Sequence, residues 1–156
     1  MNRIVKVFLL LILFLYLDYS LINACTVFML NRDSSILFAK NLDWPIGDGM
    51  IYINIRNEEK KAFSNNSHSF CWRSLYGSVT FNQFGKEFPL GGMNEKGLAV
   101  EELNYSLSKY PEARNKCLNE FQWIQYQLDN FSTVDEVVEH IHDITIEPLL
   151  CKLHYM

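Results

Sequence analysis

CTVFMLNRDSSILFAKNLDW, residues 25–44, contains two apolar runs, Cys25 to Asn31 and Ile36 to Leu42, on either side of the polar cluster Arg32-Asp33-Ser34-Ser35. That pattern predicts a β-hairpin. With the turn centred near Asp33, Cys25 falls opposite Asn41, and Lys40 and Asp43 come within reach of Cys25 in any nearby register. Side chains alternate across a strand, so a regular strand cannot aim both Lys40 and Asp43 at Cys25. A bulge or bend at Asn41 or Leu42 is therefore expected, the device by which sheets re-aim side chains beside sites.

The residues before Cys25 decide its chemistry. Arg3 and Lys6 supply a positive n-region, Val7 to Leu17 is an apolar run of 11 residues, and Ile22-Asn23-Ala24 ends on a small residue. This is the pattern of a secretory signal peptide over residues 1–24. A spanning helix needs about 20 apolar residues, and this run is closed by Lys6 and Asp18. No stable membrane span is expected after its removal, and the mature protein is expected to be secreted or periplasmic. Cleavage after Ala24 gives Cys25 a free α-amino group. One residue then carries both a nucleophilic thiol and a base, the arrangement of N-terminal-nucleophile hydrolases. Lipidation of Cys25 is the competing reading, although Ile22 and Asn23 fit a lipobox poorly.

Removing residues 1–24 leaves 132 of 156, enough for one modest domain, 25–156. Without Arg3, Lys6 and Asp18, the 14 Lys+Arg and 18 Asp+Glu become 12 and 17, a net charge of −5 with no basic cluster. Nucleic acid is not an expected partner. At 49% hydrophobic and 14% aromatic residues the chain can bury a core. With Cys25 kept free for chemistry, Cys71, Cys117 and Cys151 allow at most one disulfide, which argues against a disulfide scaffold. No Cys or His pair has zinc-ligand spacing, and neither a metal nor a cofactor is expected. His140 and His142 read as ordinary surface or helix-flank residues.

Further along, Ile51, Ile53 and Ile55 alternate with Tyr52, Asn54 and Arg56, the period of a half-buried strand over Met50 to Arg56. Asn57 to Ser69 is polar and predicts an exposed loop. Strand patterns follow over Phe70 to Phe84 and Phe88 to Met93. Asn94-Glu95-Lys96-Gly97 makes a tight turn in which Gly97 suits a positive φ, and Leu98 to Tyr105 returns as a strand. After Pro111, Ala113, Cys117, Phe121, Ile124 and Leu128 form one apolar helix face. Ser132 with Asp135 resembles a capping box opening a helix whose Val134, Val137, Val138 and Ile141 face inward. Both stripes are read as core packing. Leu153 to Met156 begins another strand.

Amide hydrolysis needs a nucleophile, a proton acceptor, a donor to the leaving amine and donors for the developing oxyanion. An N-terminal Cys supplies the first three, its thiol titrating at about 8.5 and its α-amine at about 8. A carboxylate beside the amine would orient it, and a nearby cation would favour thiolate. Asp43 and Lys40 are the candidates.

Cys25-Thr26, Lys40-Asn41-Leu42-Asp43-Trp44, Gly92-Met93-Asn94-Glu95-Lys96-Gly97-Leu98 and Leu103-Asn104-Tyr105 together resemble the choloylglycine hydrolase and penicillin V acylase family. These are linear amide C–N hydrolases of the N-terminal-nucleophile superfamily. The resemblance implies an α+β fold, the αββα sandwich, incomplete here as antiparallel strands followed by two helices. It implies Cys25 as nucleophile after processing, Asp43 contacting its amino group, and Asn104 contributing to the oxyanion hole. Lys40 stands where the family usually has arginine, keeping the charge without the planar fork. Glu95 and Lys96 belong to turn chemistry and are not nominated as catalytic. Trp44, Tyr52 and Phe70 are candidate pocket walls, each also readable as a core aromatic.

Family members are longer, and their second half supplies a further asparagine and arginine. The chain thus reads as a piece of a longer enzyme or as a truncated gene product. The expected function is an exported amidase acting on a small-molecule acyl amide, of penicillin V or conjugated bile-salt type. The alternative is a non-catalytic exported protein, either lipid-anchored at Cys25 or a truncated inactive paralogue. A thiol hydrolase using a Cys/His pair would need a histidine brought to Cys71 or Cys117, and no context supplies one. Oligomeric state, a homo-oligomer included, is left open.

Overall fold

A computed structural model describes residues 5–8, 12, 25–33, 35–63, 69–112 and 116–156. Within the leader read over 1–24, positions 5–8 and 12 are helical and exposed. The cleavage region lies outside the described residues, as do Ser34, Ala113 and the segment 64–68. No helix among the described residues is long and apolar enough to cross a membrane.

The alternation around Asp33 folds as a hairpin, with β1 (Thr26–Arg32) antiparallel to β2 (Ser35–Asn41). Asp33 takes a φ of 56°, the left-handed region that Asp tolerates because its side chain can bond locally. Arg32 pairs with Ser35 and Thr26 with Asn41. This register differs by one residue from expectation, because Arg32 rather than Asn31 pairs with Ser35. Continued one step, the ladder puts Cys25 opposite Leu42 rather than Asn41.

In chain order there follow β3 (Met50–Asn54), β4 (Glu59–Lys61), β5 (Cys71–Arg73), β6 (Ser78–Asn82), β7 (Pro89–Asn94), β8 (Ala99–Asn104) and β9 (Cys117–Leu118). Then come α1 (Glu120–Asn130), α2 (Val134–Glu139), β10 (Thr145–Ile146) and β11 (Leu153–Tyr155). The main sheet has the order β11-β8-β7-β6-β3, every pair antiparallel. One face carries α1. The fold is α+β, with the expected run of antiparallel strands followed by two helices.

The two faces of the sheet are inverted with respect to simple hydropathy. Asn54, Ser78, Thr80 and Asn82 are buried on the α1 side, whereas Ile51 is 67% and Ile53 77% exposed. Val79, Phe81 and Met93 share that outward exposure. This polar face lies under α1 and is paired in part, once with the helix and otherwise within the sheet and its turn. Gln125 Nε2 donates to Ser78 Oγ at 3.4 Å, and Asn54 Nδ2 donates to Thr80 Oγ1 at 3.1 Å. Buried polar groups persist where they find partners. The αββα sandwich is thus represented by a helix layer and one sheet, whose apolar second face is open among the described residues.

Four further expectations are corrected. Asn57 to Ser69 is not an exposed loop throughout, since β4 pairs with β5 and buries Lys60 and Ala62. Lys60 is held by an ion pair with Asp129 at 3.1 Å, both side chains fully buried, and Trp72 Nε1 donates to the same carboxylate at 2.7 Å. The helix after Pro111 begins only at Glu120, because Asn119 caps it by accepting from the Phe121 and Gln122 amides. Cys117 and Leu118 instead form β9, parallel to β10. The capping box of α2 is Thr133 with Glu136, one residue beyond the pair read from sequence. Val134, Val138 and Ile141 are exposed, and only Val137 packs on the core.

The turn Asn94 to Gly97 works as turn chemistry requires. Gly97 has φ 89°, and Asn94 Oδ1 accepts from the Lys96 and Leu98 amides at 3.0 and 3.1 Å. Asn94 Nδ2 donates to the carbonyls of Leu128 and Phe131 at 2.9 and 2.7 Å. One side chain thus closes the β7–β8 hairpin and ties it to the end of α1. Glu95 pairs with Arg56 and accepts from the Gly77 amide, which together hold its carboxyl down at about 2.

Candidate active site

The site is assembled from the open end of the β1–β2 hairpin and the strand it touches. Cys25 is half-buried directly before β1. In the hairpin ladder Val27 faces Lys40, so Cys25, two residues earlier, lies diagonally across from Lys40 on the same face. β2 ends at Asn41 in a regular register, and residues 42–44 lie beyond the ladder. Asp43 is exposed just beyond that end.

Lys40 is the connection to the main sheet. Its Nζ donates to Glu102 Oε1 at 2.8 Å and to the Leu90 carbonyl at 3.1 Å, and pairs with Glu101 Oε2 at 3.4 Å. Three acceptors thus surround an ammonium that has three protons. All three side chains are largely buried, Lys40 at 11% exposed, Glu101 at 10% and Glu102 at 6%. Glu101 reaches this position because β7 offers no side chain at Gly91. A Cβ there would come within 1.8 Å of Glu101 Oε2. Burial pushes the Glu101 carboxyl up to about 7 against the opposing pull of Lys40, with Glu102 adding to the rise.

Asn104, the last residue of β8, is exposed and pairs with Leu153 of β11. It stands two residues beyond Glu102 on the strand that Lys40 grips. Sequence reading therefore placed Cys25, Lys40 and Asn104 on elements that are connected. It missed Glu101 and Glu102, whose signal was available. Two consecutive acids inside Ala99 to Leu103 cannot both leave an internal strand for solvent by alternation alone.

Beside Lys40 lies a cleft of about 570 Å³ walled by Phe38, Leu42, Ile51, Phe81 and Leu90, with Gly91 and Glu101 also lining it. Of the proposed wall residues, Phe70 packs against Trp72 and Tyr126 in the core, and neither Trp44 nor Tyr52 lines this cleft. The other cysteines form no disulfide among the described residues and are placed differently. Cys117 is fully buried, Cys71 is exposed, and burial with nearby Glu120 pushes Cys151 up to about 11. Among the described residues, no group of three or more His, Cys, Asp or Glu side chains converges as a metal site. His140 Nδ1 lies 2.9 Å from Asp143 Oδ2, and its ring stacks on Phe131.

A family model described as linear amide C–N hydrolases, choloylglycine hydrolase family, matches residues 25–155. Penicillin V acylase from Pectobacterium atrosepticum is 35% identical over 130 residues, covering 76% of this chain and 34% of that protein. Among solved structures, penicillin V acylase from Agrobacterium tumefaciens aligns with a TM-score of 0.69 at 29% identity, covering 85% of this chain and 42% of the other. A mutant of conjugated bile acid hydrolase from Clostridium perfringens aligns with a TM-score of 0.67 at 24% identity, covering 85% and 44%. The chain thus spans less than half the length of each of these relatives.

Proposed function

The chain belongs to the choloylglycine hydrolase family of linear amide C–N hydrolases, and on that premise we propose that it serves an exported amidase whose nucleophile is Cys25. After removal of residues 1–24, the thiol of Cys25 attacks the carbonyl carbon of a linear acyl amide, and the α-amine of the same residue accepts the thiol proton. That proton passes to the departing nitrogen as the C–N bond breaks, leaving an acyl thioester on Cys25. Water, deprotonated by the same amine, then hydrolyses the thioester and regenerates the thiol.

Asp43 orients the amine, Asn104 donates to the oxyanion, and Lys40 offsets the negative charge of Glu101 and Glu102 near the thiol. The apolar cleft beside Lys40 suits the acyl part of penicillin V or of a conjugated bile salt. The observation that carries the reading is the anchoring of the hairpin. Lys40, diagonal to Cys25, is bonded to β8 two residues before Asn104, so the nucleophile's strand and the strand of the oxyanion donor are joined.

Intact-mass measurement of the exported protein tests the first step and should give a new N-terminus at Cys25. Cys25→Ser should keep processing and lose most hydrolysis of penicillin V or glycine-conjugated bile salts. A mature chain beginning elsewhere would sink the mechanism, and a lipid mass on Cys25 would assign it to an anchor instead.

A further inference from the structure

The cluster around Lys40 contains more negative charge than an ion pair requires. One ammonium faces two carboxylates, Glu102 at 2.8 Å and Glu101 at 3.4 Å, and its remaining proton is taken by the Leu90 carbonyl. The acceptors form a tripod, which fits a lysine and not the planar fork of an arginine. Gly91 is needed for this arrangement, because any side chain there would strike the Glu101 carboxylate. Cys25 directly precedes β1, and extending the ladder by one step makes it the neighbour diagonal to Lys40, the cluster's cation.

We propose that Glu101 and Glu102 are positioning residues that set the reactivity of Cys25 by sharing the Lys40 ammonium, with Glu101 as the member whose ionisation varies the field. With both acids ionised the cluster is net negative and opposes a thiolate at Cys25. With Glu101 neutral, Lys40 is balanced by Glu102 alone and the opposition falls. Glu101 titrates at about 7, within the range in which an exported protein works. The charged groups around Glu101 are few. β2 supplies Lys40 and β8 supplies Glu102; β7 has no ionisable side chain; β11 contributes His154, Tyr155 and the Met156 backbone, which exchanges hydrogen bonds with Glu101 at 2.9 Å. This inference rests on Cys25 being the processed nucleophile.

The test measures alkylation of Cys25 by iodoacetamide against pH in the full exported chain. Peptide mapping separates Cys25 from Cys71, Cys117 and Cys151, and intact mass reports the N-terminus. Glu101→Gln should move the midpoint of Cys25 alkylation down by about 1 pH unit, the order of shift that removing one neighbouring like charge produces. Glu102→Gln should move it in the same direction, and Lys40→Arg should not reproduce the wild-type midpoint.

A purely structural role would change thermal stability and leave the midpoint in place. A wild-type N-terminus at Cys25 with an unchanged midpoint in Glu101→Gln would overturn the proposal while leaving the nucleophile intact. An N-terminus elsewhere would instead remove the nucleophile on which it rests.

Discussion

Lys40 Nζ stands 2.8 Å from Glu102 Oε1, and through this bond a hairpin that forms a two-stranded sheet of its own among the described residues is fixed to the central part of the molecule. Both faces of the hairpin are apolar and exposed toward its turn, Leu30 and Leu37 on one and Met29 and Ile36 on the other. Its placement therefore depends on this ion pair together with the packing of β1 on β8. Removing the lysine should cost more than a surface charge would.

Lys40→Met leaves two buried carboxylates without their cation. At pH 8 we expect a loss of about 3 kcal/mol in chemical denaturation, in line with breaking other buried pairs. At pH 5.5 the loss should be smaller, because Glu101 is then protonated and only Glu102 remains uncompensated.

Glu101→Gln should stabilise the chain at alkaline pH. Glu101 titrates near its ordinary value, about 4.3, when unfolded and at about 7 when folded, so the folded state holds the proton more tightly. That stabilisation is complete below the unfolded value and is lost as pH rises through 7. The glutamine variant and the wild type should match near pH 4.5, and the variant should be more stable by about 2 kcal/mol at pH 8.5. Denaturation at the two pH values decides it, and a difference independent of pH would contradict this account.

Asn94→Ala removes two donors from the Leu128 and Phe131 carbonyls and the acceptor of two turn amides. A loss of about 2–4 kcal/mol is expected from thermal unfolding, since these groups are buried or half-buried and left without partners. Asn94→Asp should fare no better, because it keeps the acceptor and points a carboxylate at two carbonyls.

Asp129→Ala strands the fully buried Lys60 ammonium and releases Trp72 Nε1. The expected cost is about 3–5 kcal/mol in equilibrium unfolding. Adding Lys60→Met should recover part of that loss. If the double variant were as unstable as the single one, packing rather than charge would be the cause.

The inverted sheet shows why some of this was hidden in the linear chain. Ile51 and Ile53 alternate with Tyr52 and Asn54 as clearly as any amphipathic strand, yet Asn54 is 2% exposed and Ile53 77%. Alternation reveals that two faces differ, but not which of them the helix will cover. The partner decides that, and here it is an α1 face carrying Gln125 and Asp129. The late start of α1 has a similar origin. Cys117 continues the apolar spacing of the helix, yet Asn119 caps the chain two residues later and β10 offers Cys117 a strand partner.

By itself the sequence determined the hairpin, the turn at Asn94 to Gly97, the antiparallel order of strands and the family, because each rests on local spacing or on residue types with few conformational choices. The candidacy of Cys25, Lys40, Asp43 and Asn104 rests on the same local signals. Only the tertiary structure decided where Lys40 points, what neutralises it, and which face of the sheet is buried. These depend on groups 50 and 62 residues away, Leu90 and Glu102, whose approach no local pattern records. Burial then gives the acids at 101 and 102 their properties, since removal from water, rather than residue type, raises the titration of Glu101.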